Sequence, residues 1–70
     1  MNYNTEGHFY IPDKVITKGL HAIVIDYKTG KPLEKHILQI TEYGNLLEEM
    51  GYTHVEKYLL YINNLKIVSV

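Results

Sequence analysis

Side chains capable of chemistry are few in this sequence, and their spacing decides what they could do. Histidine is the first to weigh, at positions 8, 21, 36 and 54. His21 and His36 fall on segments that read as paired strands, and Glu34 stands two residues from His36. A metal site would need the two imidazoles on one face, which requires a hairpin register pairing residues of odd sum. A turn over Lys28–Gly30 gives even sums and puts them on opposite faces. No H-x-x-x-H or carboxylate–histidine spacing of the familiar zinc type occurs. Cysteine is absent, so thiolate sites and disulfides are excluded. Histidines half-buried in a sheet are the ordinary explanation, and neither a metal nor a cofactor is expected.

Catalytic groupings are equally sparse. The only serine, Ser69, sits next to the last residue in a strand-like segment. Glu48 and Glu49 are adjacent, so a helix points them in different directions, and a solvated face accounts for them. Thr29-Gly30-Lys31 has a superficial look of phosphate binding. A P-loop, however, needs a longer glycine-rich run that opens a helix. A chain of 70 residues can hardly wrap a substrate pocket. The reading is that this is not an enzyme.

Tyrosine is the remaining candidate, with seven copies at 3, 10, 27, 43, 52, 58 and 61. It offers contact area and a hydrogen bond at low entropic cost, which suits interfaces, and it stacks on sugar rings. Tyr58 joins a core stripe in the helical reading given below. Tyr43, Tyr52 and Tyr61 lie off that stripe and are the candidates for an outward binding patch. AT-rich codon usage, which also supplies tyrosine, competes with that explanation.

Charge narrows the partners. The formal net charge is −1 and all seven cations are lysines. Without arginine the chain lacks the guanidinium fork that reads phosphate and guanine, and without net positive charge it lacks the electrostatic term of nucleic-acid affinity. The abundance of Ile, Lys, Asn and Tyr beside absent Arg and Trp suggests an AT-rich coding sequence, as in a low-GC bacterium or one of its phages. The N-terminus has no basic and apolar signal-peptide pattern, and no apolar run is long enough to cross a bilayer. These features point to the cytoplasm of a bacterial host cell, or to a phage particle.

The elements that must position these residues follow from pattern. The whole chain, 1–70, reads as one small domain. Residues 1–19 are irregular, with a short edge strand over His8–Ile11 ended by Pro12. Residues 20–40 read as a β-hairpin: Leu20–Tyr27, a turn in which Gly30 takes positive φ, and a return strand over Leu33–Ile40. Ile23, Ile25 and Tyr27 lie on one face, and Leu20, Ala22 and Val24 on the other. A strand apolar on both faces is covered on both, so one face awaits more chain or a partner.

Residues 45–62 read as helical. Asn45 and Thr53 each have Glu three positions later, and Gly51 is a natural stop between them. Val55, Tyr58, Leu59 and Ile62 then form one helical stripe. As a strand, Val55–Ile62 does not alternate cleanly, although Asn63-Asn64 would make a good hairpin turn between Leu60 and Lys66. Leu65–Val70 is a C-terminal strand. The fold class is therefore α+β: a hairpin, two short helices and a strand, with the helices on one face of a small antiparallel or mixed sheet. Two helices around Met50–Thr53 also have roughly helix-turn-helix spacing. The reading helix would present His54, Glu56, Lys57 and Tyr61, a poor set for a DNA groove.

Residues 19–43, GLHAIVIDYKTGKPLEKHILQITEY, resemble the opening of the interleukin-like EMT inducer domain, a lectin-like α+β module. Lys18-Gly19-Leu20 would open the unit, Thr29-Gly30 make its turn, and Leu65–Val70 be its buried strand. The family's Asp-Thr-Tyr-like motif falls on Thr41-Glu42-Tyr43, with the tyrosine in common. Across residues 19–70 the resemblance implies a helix over Val55–Ile62 and a glycan- or protein-binding module. Taken together, the expectation is a small non-enzymatic interaction protein of phage type. It would bind a protein partner as inhibitor, adaptor or accessory part of a particle, and would form a homo-oligomer. A small carbohydrate-binding module is the alternative, and a helix-turn-helix protein ranks third. A chain this size has a core that supplies only ~3–5 kcal/mol, hence the self-association.

Overall fold

A single period-two pattern sets the centre of the molecule. Along His21–Lys28 the residues Ala22, Val24 and Asp26 are buried while their neighbours are half-buried or exposed. The computed structural model describes residues 10–70, and within them this segment is the second strand of a four-stranded sheet. The elements run β1 (Lys14–Lys18), β2 (His21–Lys28), α1 (Glu34–Glu49), β3 (His54–Tyr61), a 3-10 turn (Ile62–Asn64) and β4 (Lys66–Ser69). Strand order follows chain order, β1-β2-β3-β4. The two outer pairings are antiparallel and the central β2–β3 pairing is parallel. Parallel neighbours need a crossover, and α1 supplies it.

The α+β class stands, with one helix in place of two and a mixed sheet. The hairpin expected over 20–40 is instead β2, a loop and the first half of α1. Gly30 does take positive φ, at 81°, but in the turn leading from β2 into the helix. The N-terminal hairpin lies one element earlier, with Gly19 at φ 60° in the turn between β1 and β2. Thus residues 14–18, read as irregular, form an edge strand. Of the strand expected over His8–Ile11, residues 8 and 9 lie outside the described residues, and Tyr10 and Ile11 are not in a strand.

Residues 34–40 become helical because their buried positions continue through the next two turns. His36, Ile40, Gly44 and Leu47 recur at helical spacing and form the stripe that faces the sheet. Gly51, with φ 113°, closes the helix. Its N–H donates to the Glu48 carbonyl at 3.0 Å, and the Tyr52 N–H donates to the Leu47 carbonyl at 3.2 Å. This pair of bonds is a Schellman motif.

Residues 54–61 are a strand, so of the segment 45–62 read as helical only 45–49 is α-helix, as the end of α1, and the second helix of a helix-turn-helix is absent. Val55, Lys57, Leu59 and Tyr61 point to α1, and Glu56, Tyr58 and Leu60 point away. Neither side alternates cleanly with polar residues because a central strand has apolar neighbours on both faces. Thr53 does not cap a helix; its N–H donates to the Leu20 carbonyl at 2.9 Å and starts the strand. The Asn63-Asn64 turn then links β3 to β4 as a hairpin, closed by Leu65 at φ 52°. The C-terminal strand is present as β4.

The core lies between α1 and the middle of the sheet. Ala22, Val24, Ile40, Leu47, Leu59 and Tyr61 are buried, with Tyr10, Tyr43, Tyr52, Val55, Val68 and Val70 packed against them. Side chains such as Ile40 and Leu59 contribute about 1.5–3 kcal/mol each by leaving water.

Candidate functional site on the open face of the sheet

The parallel register assembles the surface opposite α1. His21 pairs with His54, Ile23 with Glu56, Ile25 with Tyr58, and Tyr27 with Leu60. Because strand side chains alternate, all eight emerge on the same face. By the same alternation β1 adds Lys14, Ile16 and Lys18, and β4 adds Ile67 and Ser69. The result is an apolar field of Ile16, Ile23, Ile25, Tyr27, Tyr58, Leu60 and Ile67, with lysines along one edge. No element among the described residues packs over it. Ile16 is 47% exposed, Tyr27 42% and Ile67 68%, while Ile23, Ile25, Tyr58 and Leu60 between them are half-buried.

Polar groups occupy one end of this field. His21 Nε2 lies 2.6 Å from Glu56 Oε2, and His54 Nε2 lies 3.7 Å from the same oxygen. The two imidazoles meet edge to face at 4.4 Å between centroids. The Tyr58 hydroxyl donates to the other carboxylate oxygen, Glu56 Oε1. That hydrogen bond, and then the one from His21, hold the Glu56 carboxyl below the usual carboxylate range. The same contact pushes the Tyr58 hydroxyl up.

A second polar group lies inside, at the far end of β2 and β3 beneath the start of α1. Asp26 is buried, which disfavours its charge, yet the Lys28 ammonium at 2.9 Å, together with Asp13 and the Tyr10 hydroxyl, brings its carboxyl below the ordinary value. The Asp13 N–H donates to Asp26 Oδ1 at 3.2 Å, and the Tyr27 N–H donates to Asp13 Oδ2 at 2.9 Å. Lys28 also stands over the Tyr10 ring at 5.6 Å. Burial, then the Asp26 carboxylate, pushes the Tyr10 hydroxyl far above its ordinary range. His36 is buried against Tyr61, whose hydroxyl is 3.1 Å from Nδ1. Burial, followed by the nearby Lys28 and Lys35 ammonium groups, holds the His36 imidazolium pKa below its usual value. These contacts tie the segment before β1 to β2, and α1 to β3.

The expected tyrosine patch does not assemble. Tyr61 is 1% exposed and belongs to the core, so it presents nothing to a partner. Tyr43 and Tyr52 are half-buried on the helix side, Tyr43 meeting Tyr10 edge to face at 6.2 Å. The tyrosines of the open face are Tyr27 and Tyr58 instead. His21 and His36 fall on opposite sides of the sheet, as expected, although His36 stands on a helix. What sequence reasoning missed is the pairing of His21 with His54. The Asn63-Asn64 turn, which pairs the segment before it with Leu65–Val70 as strands, was the available signal, and the helical stripe competed with it.

A depression lined by Gly19, Leu20, Met50, Gly51 and Tyr52 carries no acid or base besides the Tyr52 phenol. No helix among the described residues is long and apolar enough to cross a membrane. Comparison with known proteins finds no matching protein family, curated protein or solved structure.

Proposed function

We propose that this chain is a non-enzymatic interaction protein whose working surface is the open face of its sheet, and that the first occupant of that face is a second copy of itself. The observation that carries this reading is the row Ile16, Ile23, Ile25, Tyr58, Leu60 and Ile67, apolar side chains standing together on a face that no described element covers. Contiguous apolar patches of this kind on small proteins mark association sites. Two such faces stack about 10 Å apart with strands nearly aligned, as in a sandwich. A small core favours the same outcome, because association adds the burial that so short a chain cannot supply internally. Engagement of a different protein, as inhibitor or adaptor, would use the same face by displacing the second copy. The carbohydrate-binding alternative drew on Tyr43, Tyr52 and Tyr61, and the burial of Tyr61 in the core favours the protein-binding reading over it.

Sedimentation equilibrium at micromolar concentration tests the proposal. The wild-type chain should sediment as a dimer. Ile25→Lys and Ile67→Lys, which place a charge in the middle and at the margin of the face, should sediment as folded monomers. A wild-type chain that remains monomeric while folded would overturn the reading.

A further inference from the structure

We propose that His21, His54 and Glu56 form a binding site for a zinc-class divalent transition ion, at the end of the open face where β2 and β3 begin. The three donor atoms already lie within 4.8 Å of one another. A tetrahedral ion with ligands at ~2.0–2.1 Å holds its donor atoms ~3.3 Å apart. The separations of 2.6 Å and 3.7 Å from Glu56 Oε2 bracket that value, so rotation about side-chain bonds suffices to close the site. Two imidazoles and one carboxylate suit zinc and its neighbours, whereas magnesium and calcium want mostly oxygen ligands.

Two further features favour an ion over a simple histidine–carboxylate contact. The first is support behind the ligand. The Tyr58 hydroxyl occupies Glu56 Oε1, which fixes the carboxylate and leaves Oε2 directed at both imidazoles. Outer hydrogen bonds of this kind orient metal ligands and are worth about tenfold or more in affinity. The second is rigidity. His21 and His54 are direct partners in the parallel register, and Glu56 follows on the same strand face. Backbone pairing therefore fixes the three Cα positions before an ion arrives, leaving only side-chain rotation to close the site. Lys18, opposite His21 on β1, is exposed, so its ammonium can turn to solvent.

With three protein ligands and an exposed His54, one coordination position faces outward. Water, or a donor from a bound partner, would fill it, as in sites that keep an open position. The site needs only the folded chain, so it stands whether or not the apolar face pairs with a second copy.

Calorimetric titration of the full chain with zinc chloride, and absorption spectroscopy with cobalt chloride as the tetrahedral probe, test the proposal. One ion per chain should bind with micromolar affinity, and magnesium chloride should give no signal. His54→Ala and Glu56→Gln should each weaken binding at least tenfold, Tyr58→Phe about tenfold, and His36→Asn, on the opposite side of the sheet, should leave it unchanged. Circular dichroism checks that each variant is folded. A folded wild-type chain without saturable binding overturns the site, as does binding that survives His54→Ala and Glu56→Gln or is lost with a folded His36→Asn.

Discussion

His36 shows how one side chain can set the pH response of a small fold. The Leu33 N–H, a donor without alternatives, points at Nδ1 at 3.4 Å, so Nδ1 accepts and the proton of the neutral ring sits on Nε2. Protonation would set a second donor against that N–H inside a buried site, and Lys28 and Lys35 add repulsion. The folded state therefore prefers neutral His36, with a pKa below that of the unfolded chain. Between the two pKa values the unfolded chain binds more protons, so stability rises with pH there. The contribution is full above the unfolded value of about 6.5, and is lost as pH falls through it toward the lower folded value. Melting temperature measured from about pH 8 to pH 5 should fall in the wild type and change less in His36→Asn, which keeps an acceptor near the Leu33 N–H. None of this was legible in the sequence, where His36 looked like a residue of a return strand. Its role depends on Tyr61, twenty-five residues away, and on a helix start with no side-chain cap at Leu33. The chemistry of His54 was hidden for a related reason, since a histidine acquires neighbours only when its strand partner is known.

Among the elements, α1 and β3 meet through an unusual contact. Gly44 is buried in the helix, and a Cβ built there would come 2.6 Å from Lys57 Cδ. The lysine stem thus crosses the helix at the one position without a side chain, its apolar methylenes covering the backbone. Glycine in a helix interior costs about 1 kcal/mol relative to alanine, and close approach is the physical reason for it here. Gly44→Ala should destabilise the wild-type protein, and should stabilise a Lys57→Ala background by up to about 1 kcal/mol. Urea denaturation of the four variants measures that reversal. Equal effects in both backgrounds would mean that the stem moves aside freely. At this scale the sequence was readable where a single residue dictates the backbone: Gly51 ends a helix, Gly30 turns with positive φ, and Leu65–Val70 contains a strand. It misled where short apolar runs fit both periods. Leu33–Ile40 passed for a strand because, of its partners on the stripe, Gly44 was assigned to no element and Leu47 lay in a segment assigned to another helix. Val55–Ile62 passed for a helix because a strand with two apolar faces loses its alternation.

Viewed whole, the molecule is two-layered, and one outer surface of its sheet is apolar. The sequence foretold that asymmetry without saying which face it would be, since Leu20–Tyr27 is apolar on both faces and one layer of helix covers only one. Which strands join to widen the surface was not foreseeable, because β3 was read as a helix. If the open face pairs with a second copy, folding and association are linked by mass action. Melting temperature should therefore rise with protein concentration in the wild type and stay constant in Ile67→Lys, a pair of scans that calorimetry can supply. Concentration-independent melting in both would contradict the dimer.

The parallel seam between β2 and β3 also governs how this chain reaches its native state. β1 with β2, and β3 with β4, are hairpins closed by short turns and can form within a few residues' search. Every rung of the seam instead joins residues thirty-three apart, such as His21 and His54. Closing that long loop carries an entropic cost before the rungs return anything. The late event in folding is accordingly the zipping of two preformed hairpins, with α1 bridging them. It is at that seam, not in either hairpin, that the kinetic barrier of the molecule resides.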